Sequence, residues 1–567
     1  MRVACVRGSL WRMLAMENKE FVTYLDFGAV GDGVTDDFEA IYRAHEYANE
    51  NGLPVILDGE RTYYIHETRI NGEVKSAIIK TDVNWGTSKF IIDDTDITGL
   101  DGTGRNARHI FTVSSDYEQI TITDEEVLAK IGSIGEGTKK INLELGYPAL
   151  IVIYNDNERV FKRYGESYRK LGIHNGAIKN EILLIDGEGN IDESTPFMFD
   201  YAGLTKIEVI RADVKPITVQ GGEFTTLASR VDARNPETGL MAPYISRGLS
   251  INRSNTTVLA VKHYMKNEVT TYEHRDFNMR GAHYAGFYRV SCANDVVIKN
   301  CVLTGRRYYR ISGTYEFMAC RVNKIKLIGC MQSNFFVTAE DGEQVCSMSR
   351  SPVSDTLRYW GAGESDFCKN MEYVNSVISR FDAHQGLYNG KIINCKMNFM
   401  ELTGKGELYI ENLEWYSYSS GALNCMAYLR GDYGSTWNGT ITFKNCTAHF
   451  EKGDAYVFCH GYVNWDYANE SHFPNLIIDN FKIKSLEPGA KLYLKTPTKE
   501  PAMHKEQTLI VARTNPDGTI DEGNMNNANR VVPPEFIRVI NCDDSVKVYV
   551  ENIPFFENTK LEGVIVE

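Results

Sequence analysis

The feature that most constrains this chain is a β-rich phrase that recurs along its second half. A typical copy alternates apolar and polar residues and then ends in Asn or Gly followed by Cys or another apolar residue. The copies lie at 294–303, 323–331, 370–379, 389–397, 439–447 and 475–483. Alternation with a period of two predicts a strand with one buried face, and Asn or Gly predicts a turn after it. Such repeated strands predict stacked coils, with one copy of the phrase in each coil.

Cysteines follow the turn residue in several copies, and we expect them to stack inside the coils as an internal ladder of packed side chains. The predicted ladder consists of Cys301, Cys330, Cys395 and Cys446. The preceding Asn tolerates the left-handed backbone angles that such a turn requires. The chain has 12 cysteines but no CxxC pair, which argues against a zinc ribbon or a dense disulfide scaffold. Buried, reduced thiols are therefore predicted.

A second motif opens the fold at residues 24–70, with the sequence YLDFGAVGDGVTDDFEAIYRAHEYANENGLPVILDGERTYYIHETRI. Its glycines permit tight turns, and Asp36 or Asp37 can cap a helix. Short strands are predicted at 54–57 and 63–65. The inner face of the predicted helix consists of Ile41, Ala44, His45 and Ala48.

This segment resembles the N-terminal cap of pectate-lyase-like β-helices, a superfamily that includes polygalacturonase-like glycosidases and many phage tailspikes. The resemblance is clear over residues 24–95 and continues, through the repeat pattern alone, to about residue 482. It implies an all-β chain that forms a single-stranded right-handed parallel β-helix, with an N-terminal capping helix and loop insertions. It also implies that Asp32, Asp36 and Asp37 serve the turn and the start of the helix, not catalysis.

The predicted organisation is a lead-in at residues 1–23 followed by one β-helix domain at 24–567. The domain begins with the cap at 24–95 and ends in an irregular C-terminal cap from about residue 484. Residues 335–358 are expected to leave the coil as loops, since the spacing of the repeats is irregular there. The run TDEEVLAKIGSIGEGTKK predicts an inserted helix and loop within residues 100–200.

Charge and composition exclude several classes of function. A net charge of −14 repels a nucleic-acid backbone, and the chain has neither a P-loop nor a Gly-rich dinucleotide turn. No stretch reaches the ~20 apolar residues of a membrane span. The first residues lack the apolar core of a secretion signal. We therefore expect a cytoplasmic protein or, as the alternative, a component of a phage virion.

Two segments share an Arg-x-Asp pattern about fourteen residues before the cysteine that ends a repeat. If both are coils, Asp382 and Asp432 emerge at the same height of the repeat and can form the carboxylate pair of a glycosidase. His384 can tune or share the proton transfer, because its ordinary pKa is near neutrality. Arg380 and Arg430 can orient the carboxylates or bind an acidic sugar. The alternative interpretation is a buried structural ion pair that repeats because the coils repeat.

Aromatic and polar residues near these segments are candidate sugar contacts, since a sugar ring needs an apolar surface and partners for its hydroxyl groups. The predicted substrate-binding residues beyond the arginines are Trp360, Tyr433, Trp437, His460 and Asp466. Taken alone, each aromatic is better explained by core packing, and it is their grouping that favours a sugar site. Glu316 and His283 are reserve candidates for the acid or base.

The leading functional hypothesis is a glycoside hydrolase without a cofactor that acts on a carbohydrate substrate as a monomer or homotrimer. The paired-aspartate, Gly-His-Gly and Arg-Ile-Lys motifs of polygalacturonases are absent in that form, so galacturonan is not assumed. A polysaccharide lyase is the second hypothesis, with Arg380, Arg430, His384 and Tyr433 as its residues and calcium as an optional cofactor. The third hypothesis is a tailspike or adhesin that only recognises a surface glycan.

Overall fold

The computed structural model of the chain describes most of its length. The described residues are 19–97, 109–161, 176–232, 244–269, 284–304, 306–309, 315–333, 335–338, 344–346, 357–360, 364–417, 424–430, 433, 436–450, 455–460, 471–485, 492–495, 531–542, 546, 548–550 and 556–566.

Strands dominate the described part of the chain, and helices are few. The helices are a 3₁₀ turn Tyr24–Phe27, α1 Phe38–Asn51 and α2 Glu125–Ile131. The strands are β1 Asp32–Asp36, β2 Val55–Ile56, β3 Thr62–Ile65, β4 Arg69–Ile70, β5 Glu73–Val74, β6 Ala77–Ile79, β7 Val83–Asn84, β8 Lys89–Asp93, β9 Phe111–Ser114, β10 Ile120–Ile122, β11 Ala149–Val160, β12 Ala177–Ile185, β13 Lys206–Arg211, β14 Ile217–Gln220, β15 Glu223–Leu227, β16 Leu249–Asn252, β17 Thr256–Leu259, β18 Lys262–Lys266, β19 Ala285–Lys299, β20 Val302–Leu303, β21 Arg306–Tyr309, β22 Tyr315–Ile328, β23 Met331–Gln332, β24 Phe336–Thr338, β25 Gln344–Cys346, β26 Leu357–Trp360, β27 Glu364–Asp366, β28 Lys369–Val374, β29 Arg380–Ile393, β30 Lys396–Met397, β31 Phe399–Glu411, β32 Glu414–Tyr416, β33 Asn424–Leu429, β34 Trp437–Lys444, β35 Thr447–Phe450, β36 Ala455–His460, β37 Ser471–His472, β38 Asn475–Asp479, β39 Lys482–Ser485, β40 Leu492–Lys495, β41 Val531–Val532, β42 Phe536–Ile540, β43 Val548–Val550, β44 Lys560–Glu562 and β45 Val564–Val566.

These strands wind into coils with three faces. In the regular part, the first face contains the first halves of β29 and β31, followed by β33 and β36. The second face contains the second halves of β29 and β31, then β34 and β38, and the third contains β30, β32, β35 and β39. Toward the N-terminus the first face continues through β27, β22, β19, β16, β9 and β6.

All of these pairings are parallel, and parallel crossovers are right-handed in nearly all proteins. The predicted right-handed parallel β-helix is confirmed, with its capping helix and its insertions. The parallel pairing continues through β40, β42, β43, β44 and β45. Coils therefore extend beyond residue 484, where the sequence predicted an irregular cap. No helix in the described part is long and apolar enough to cross a membrane.

The predicted turns and cysteine ladder are also confirmed. Asn375, Asn394 and Asn412 have φ values between 50° and 54°, in the left-handed region. The amide of each of the last two donates to the amide oxygen of the preceding one, at 3.0 and 2.7 Å. The cysteine side chains that follow the turns are at most 2% exposed, and they lie in the main core at positions 301, 330, 395 and 446. The turn and the inward cysteine thus fix the corner of the coil.

The N-terminal cap follows the prediction as well. Helix α1 buries its expected inner face, and Asp37 accepts hydrogen bonds from the amides of Val30 and Gly31 at 2.6 and 3.1 Å. Asp32 accepts from the amides of Val34 and Thr35. These aspartates hold backbone turns, as the resemblance implied.

An inserted antiparallel sheet between β9 and β14 is the main feature that the sequence did not predict. It consists of β10, β13, β11 and β12 in that order and has its own core, onto which the predicted helix α2 packs. The predicted loop at 335–358 likewise contains short antiparallel strands: β24 pairs with β25, and β26 pairs with β21. Strands β11 and β12 contact β19 and β22, so the inserted sheet covers part of the first face.

A buried ion pair holds the inserted sheet on the coils. The Nζ of Lys369 lies 2.8 Å from Glu181, and both side chains are at most 2% exposed. Glu181 also accepts hydrogen bonds from the amides of Met198 and Phe199. Burial lowers the pKa of Lys369, and the adjacent Glu181 carboxylate opposes that shift. The inserted sheet is therefore attached to the coils through the Lys369–Glu181 ion pair, in which each buried charge needs the other.

Replacing Lys369 with Met should loosen the inserted sheet by about 3–5 kcal/mol, because Glu181 would keep a buried charge without its cation. Hydrogen exchange of the amides of β11 and β12 would measure this. The matched control is Lys326→Met, whose pair with Glu372 is partly exposed at 3.4 Å and should be worth under about 1 kcal/mol. Unchanged exchange in Lys369→Met would show that the ion pair does not hold the sheet.

The histidine of the cap should make stability depend on pH. Tyr24 lies 2.9 Å from Nε2 of His45, and burial lowers the pKa of His45 to about 3. Below pH ~6.5 the unfolded chain takes up a proton that the folded state excludes, so stability falls as pH drops toward 3. His45→Gln should reduce the loss of unfolding free energy between pH 7 and 5 by about 2 kcal/mol.

Urea unfolding at the two pH values would measure this difference. The pKa of partly exposed His66 is raised instead, chiefly because its Nδ1–H donates to the backbone carbonyl of Asp93, so His66→Gln is the control and should not reduce the pH dependence. An equal pH dependence in wild type and His45→Gln would contradict a neutral His45 in the folded state.

Candidate functional site

Strand β29 positions the central residues of the candidate site on the first face. Phe381 and Ala383 point inward and are 0% exposed in the main core. Since side chains alternate across a strand, Arg380, Asp382 and His384 point outward. Their outward direction follows from the sequence, but the three are at most 5% exposed. Other elements must therefore cover them.

A four-membered charge cluster forms around Asp382. Arg380 lies 2.7 Å from its carboxylate and Arg430 lies 3.3 Å from it. Glu401 occupies the position next to Asp382 on the following coil. It pairs with Arg380 and lies 3.5 Å from Arg430. Two cations and two anions thus share the cluster.

The burial of this cluster explains why its charges are balanced. An isolated buried charge costs several kcal/mol, whereas a paired and hydrogen-bonded one is tolerated. Asp382 is 0% exposed, but the side chains of Glu401 and Arg430 are 16% and 11% exposed. Only the Glu401 and Arg430 edge of the cluster therefore reaches solvent.

A hydrogen-bonded row lies beside the cluster. Asp366, on the preceding coil, lies 2.9 Å from Nδ1 of His384. Nε2 of His384 lies 3.1 Å from the hydroxyl of Tyr433, to which Gln385 donates at 3.1 Å. The guanidinium of Arg430 lies 4.9 Å from the centre of the Tyr433 ring, which joins the row to the cluster. The Asp366 side chain is 18% exposed, so it is the accessible end of the row.

The inserted sheet covers this region through Phe161, at the end of β11. The Phe161 ring packs at right angles to Tyr433, with ring centres 6.4 Å apart. Gly386 permits this approach: its φ is +66°, and a Cβ there would lie 2.7 Å from the Phe161 ring. Phe161 and its neighbours thereby exclude water from Tyr433, which is 1% exposed.

The charge cluster affects a tyrosine beneath it. Burial raises the pKa of Tyr373, and the negative charge of Asp382 raises it further. Tyr373 therefore stays protonated and does not serve as a base. Among the described residues, no group of three or more His, Cys, Asp or Glu could hold a metal ion.

The structure brings together several residues that the sequence nominated and separates one. The residues that lie together are Arg380, Asp382, His384, Arg430 and Tyr433. Trp437, predicted as a sugar contact, is 0% exposed in the core, and its indole N–H donates to the carbonyl of Gly406 at 3.1 Å. Trp437 starts β34 with an inward-facing side chain, so it packs inside the coil. The predicted sugar contact at Trp437 is corrected on this ground, and so is the one at Tyr433, which is 1% exposed beneath Phe161.

Except for Glu316, the remaining nominated residues or their side chains lie outside the described part of the chain. Asp432, Asp466 and His283 are outside the described residues. Trp360 and His460 lie in β26 and β36, but their side chains are outside the description. Glu316, a reserve candidate, pairs with His263 and is 3% exposed. It therefore lacks the solvent access that a catalytic acid or base needs.

Glu401 is the site residue that sequence reasoning missed. The distance along the chain from Asn375 to Asn394 is one coil, and the same step from Asp382 leads to Glu401. The signal was present, therefore, in the spacing of the Asn turns. Segment 399–411 is followed by Asn412 and Leu413, which matches the Asn-plus-apolar ending of the repeats, although this segment was not among the predicted copies.

Comparison with known proteins gives fold-level likeness only. No family model matches the chain, and no curated protein matches its sequence. The tailspike gp61 of Pseudomonas phage phi297 is 10% identical with a TM-score of 0.46, over 93% of this chain and 80% of that one. The Gp54 tailspike of Acinetobacter baumannii bacteriophage AP22, solved with capsular saccharide, is 11% identical with a TM-score of 0.42, over 95% and 79%.

An exopolygalacturonase from Thermotoga maritima is 11% identical with a TM-score of 0.30, over 82% of this chain and 89% of that one. At such identities and TM-scores these proteins resemble the chain in coil architecture alone. Its chemistry follows from its own residues.

Asp382→Asn should lower the free energy of unfolding by about 3–5 kcal/mol, because one anion would be left to balance two buried cations. Glu401→Gln should cost less, because water reaches the edge of the cluster at its 16% exposed side chain. Urea unfolding of both variants would measure the difference. A smaller loss for Asp382→Asn than for Glu401→Gln would contradict this account of the cluster.

Proposed function

We propose that the protein is a carbohydrate-active enzyme, a glycoside hydrolase that cleaves an oligosaccharide or polysaccharide held across the first face. The observation that carries the proposal is the exposed edge at Glu401. The carboxylates of Glu401 and Asp366 both reach solvent on the first face. The Arg430 guanidinium contacts Glu401 of the charge cluster and the ring of Tyr433 in the hydrogen-bonded row. Hydrolysis of a glycosidic bond needs two carboxyl groups that flank the bond. One acts as the acid, and the other acts as the base or the nucleophile.

The proposed role of each residue depends on whether its side chain is exposed enough to contact a sugar. Glu401 is proposed as the carboxylate that contacts the bond. Its partner is Asp366, the exposed end of the row, or Asp432, which the sequence predicted and which lies outside the described residues. Asp382 is 0% exposed, so it is proposed as a positioning residue that holds Arg380 and Arg430. His384 orients Asp366 through their 2.9 Å hydrogen bond.

A polysaccharide lyase is less favoured. Its residues Arg380, Arg430, His384 and Tyr433 do converge, which is the observation in its favour. To neutralise the carboxylate of a uronate, a lyase needs a cation that is not already paired with an acidic side chain. Both arginines are instead balanced by Asp382 and Glu401.

The test is a panel of neutral and acidic polysaccharides incubated with the purified protein, with new reducing ends and ultraviolet absorbance measured together. Wild type should release reducing ends without absorbance. Glu401→Gln should lower kcat by about 100-fold or more, the contribution typical of a positioned acid or base. The same loss in either Asp366→Asn or Asp432→Asn would identify the partner.

Glu414→Gln is the matched control, since Glu414 is a partly exposed carboxylate on the third face paired with Lys396 at 3.0 Å. It should keep full activity. Absorbance from an unsaturated uronide would instead support the lyase. Binding without any cleavage would support a tailspike-like protein that only recognises a glycan. Full activity in Glu401→Gln would contradict the proposed site.

A further inference from the structure

Asparagines that precede glycine are the ones that most readily lose their side-chain amide, because glycine has no Cβ to shield its backbone nitrogen. The chain contains five such pairs, at 51–52, 71–72, 175–176, 389–390 and 438–439. The asparagine of the third pair is outside the described residues. The other four pairs lie in different backbone settings, and these settings decide how readily each pair reacts.

The loss of the amide is an intramolecular reaction followed by a hydrolysis. The backbone nitrogen of the glycine forms a bond to the side-chain carbonyl carbon of the asparagine. The amide group leaves with the proton of that nitrogen as ammonia, and a five-membered succinimide ring remains. Water then opens the ring at either carbonyl and gives aspartate or isoaspartate, each with one added negative charge. The reaction therefore requires a backbone that lets the two reacting atoms approach each other.

Asn71 and Gly72 form the two-residue turn of the hairpin between β4 and β5. Their φ values of 52° and 84° are of the kind that such a turn requires. Both residues are exposed, and a Cβ built on Gly72 would meet no atom within 4 Å. Within the described residues, β4 and β5 pair only with each other, over two residues each. An isolated hairpin of this size is marginally stable, so the turn can open while the coils stay intact.

The pair at Asn51 and Gly52 is exposed as well, but it lies at the end of helix α1. The Asn51 amide donates to the carbonyl of Tyr47 at 2.9 Å, so the reacting group is held back along the helix. The N–H of Gly52 donates to the carbonyl of Ala48 and closes the last turn. Ring closure here must break both hydrogen bonds, and this pair should therefore react more slowly than Asn71.

The pairs at 389–390 and 438–439 lie inside strands β29 and β34 of the coils. The side-chain oxygen of Asn389 accepts from the amide of Glu407 at 2.7 Å. A Cβ built on Gly439 would clash with the carbonyl oxygen of Gly406, on the neighbouring coil. These pairs react only after a coil opens, and the rate then follows the small population of the open state.

We propose that Asn71 is a site of spontaneous deamidation, where the folded protein acquires its first added charge. The isoaspartate product carries an extra carbon in the backbone, and a two-residue turn with that carbon no longer matches the register of β4 and β5. The hydrogen bond from the Lys75 amide to the Thr68 carbonyl, 2.9 Å long, closes the base of this hairpin. The Thr68 hydroxyl also accepts from Arg247, whose buried ion pair with Asp94 joins the N-terminal cap to a later coil. The modification therefore loosens this corner of the cap.

The experiment is incubation of the full folded chain in a mildly alkaline buffer, followed by tryptic digestion and mass spectrometry of the four Asn-Gly peptides. Asn71 should convert at least about tenfold faster than Asn389 or Asn438, because its turn opens without the opening of a coil. In urea the four rates should become similar, since the same Asn-Gly sequence then reacts in an unfolded chain. An isoaspartyl methyltransferase should label the peptide 70–75 of the folded protein after the incubation.

Isoelectric focusing of the undigested protein follows the added charge. Asn71→Gln replaces the five-membered ring with a less favourable six-membered one and should remove the first acidic species. Asn51→Gln is the matched control and should keep that species. Hydrogen exchange of the Lys75 amide should be faster in incubated wild type than in incubated Asn71→Gln. Conversion of Asn71 no faster than that of Asn389 in the folded protein, or the same first acidic species in Asn71→Gln, would overturn the proposal.

Discussion

The stacking of one coil on the next is the constraint on which the rest of this structure depends. Parallel backbone hydrogen bonds fix the spacing of the coils, and inward residues such as Phe381 stack on Met400 of the following coil. The left-handed Asn at the corner keeps successive coils in register. Because the register is fixed inside, the outward residues also form rows. The charge cluster is a row of this kind, with Asp382 and Glu401 on adjacent coils.

The inserted sheet changes what those rows can do. Outward residues of a bare coil face water, but β11, β12 and Phe161 cover the middle of the first face. Near this cover, Asp382 is 0% exposed and pairs with two arginines. Glu401, on the following coil, keeps access to solvent at a side-chain exposure of 16%. The insertion therefore decides, through Phe161, that Tyr433 is closed to solvent.

Much of the coil could be predicted because its signals are local. Alternation, the turn residue and the following cysteine lie within about ten residues of one another, and they gave the strands and the ladder correctly. The capping helix was equally local, since its turn aspartates and inner face lie in one segment. Trp437 shows the limit of this reasoning. An aromatic residue at the start of a strand is compatible with either face, and only its register with Gly404 placed it inside.

The sequence by itself determined that this chain is a stack of parallel coils with a helical cap, and that Arg380, Asp382 and His384 point outward together. Tertiary structure alone decided which of them reach solvent. It placed Glu401 beside Asp382 across the coil spacing and laid an antiparallel sheet over part of the first face. Burial and charge balance depend on residues far apart in the chain, and a repeat pattern specifies only the neighbours within one coil.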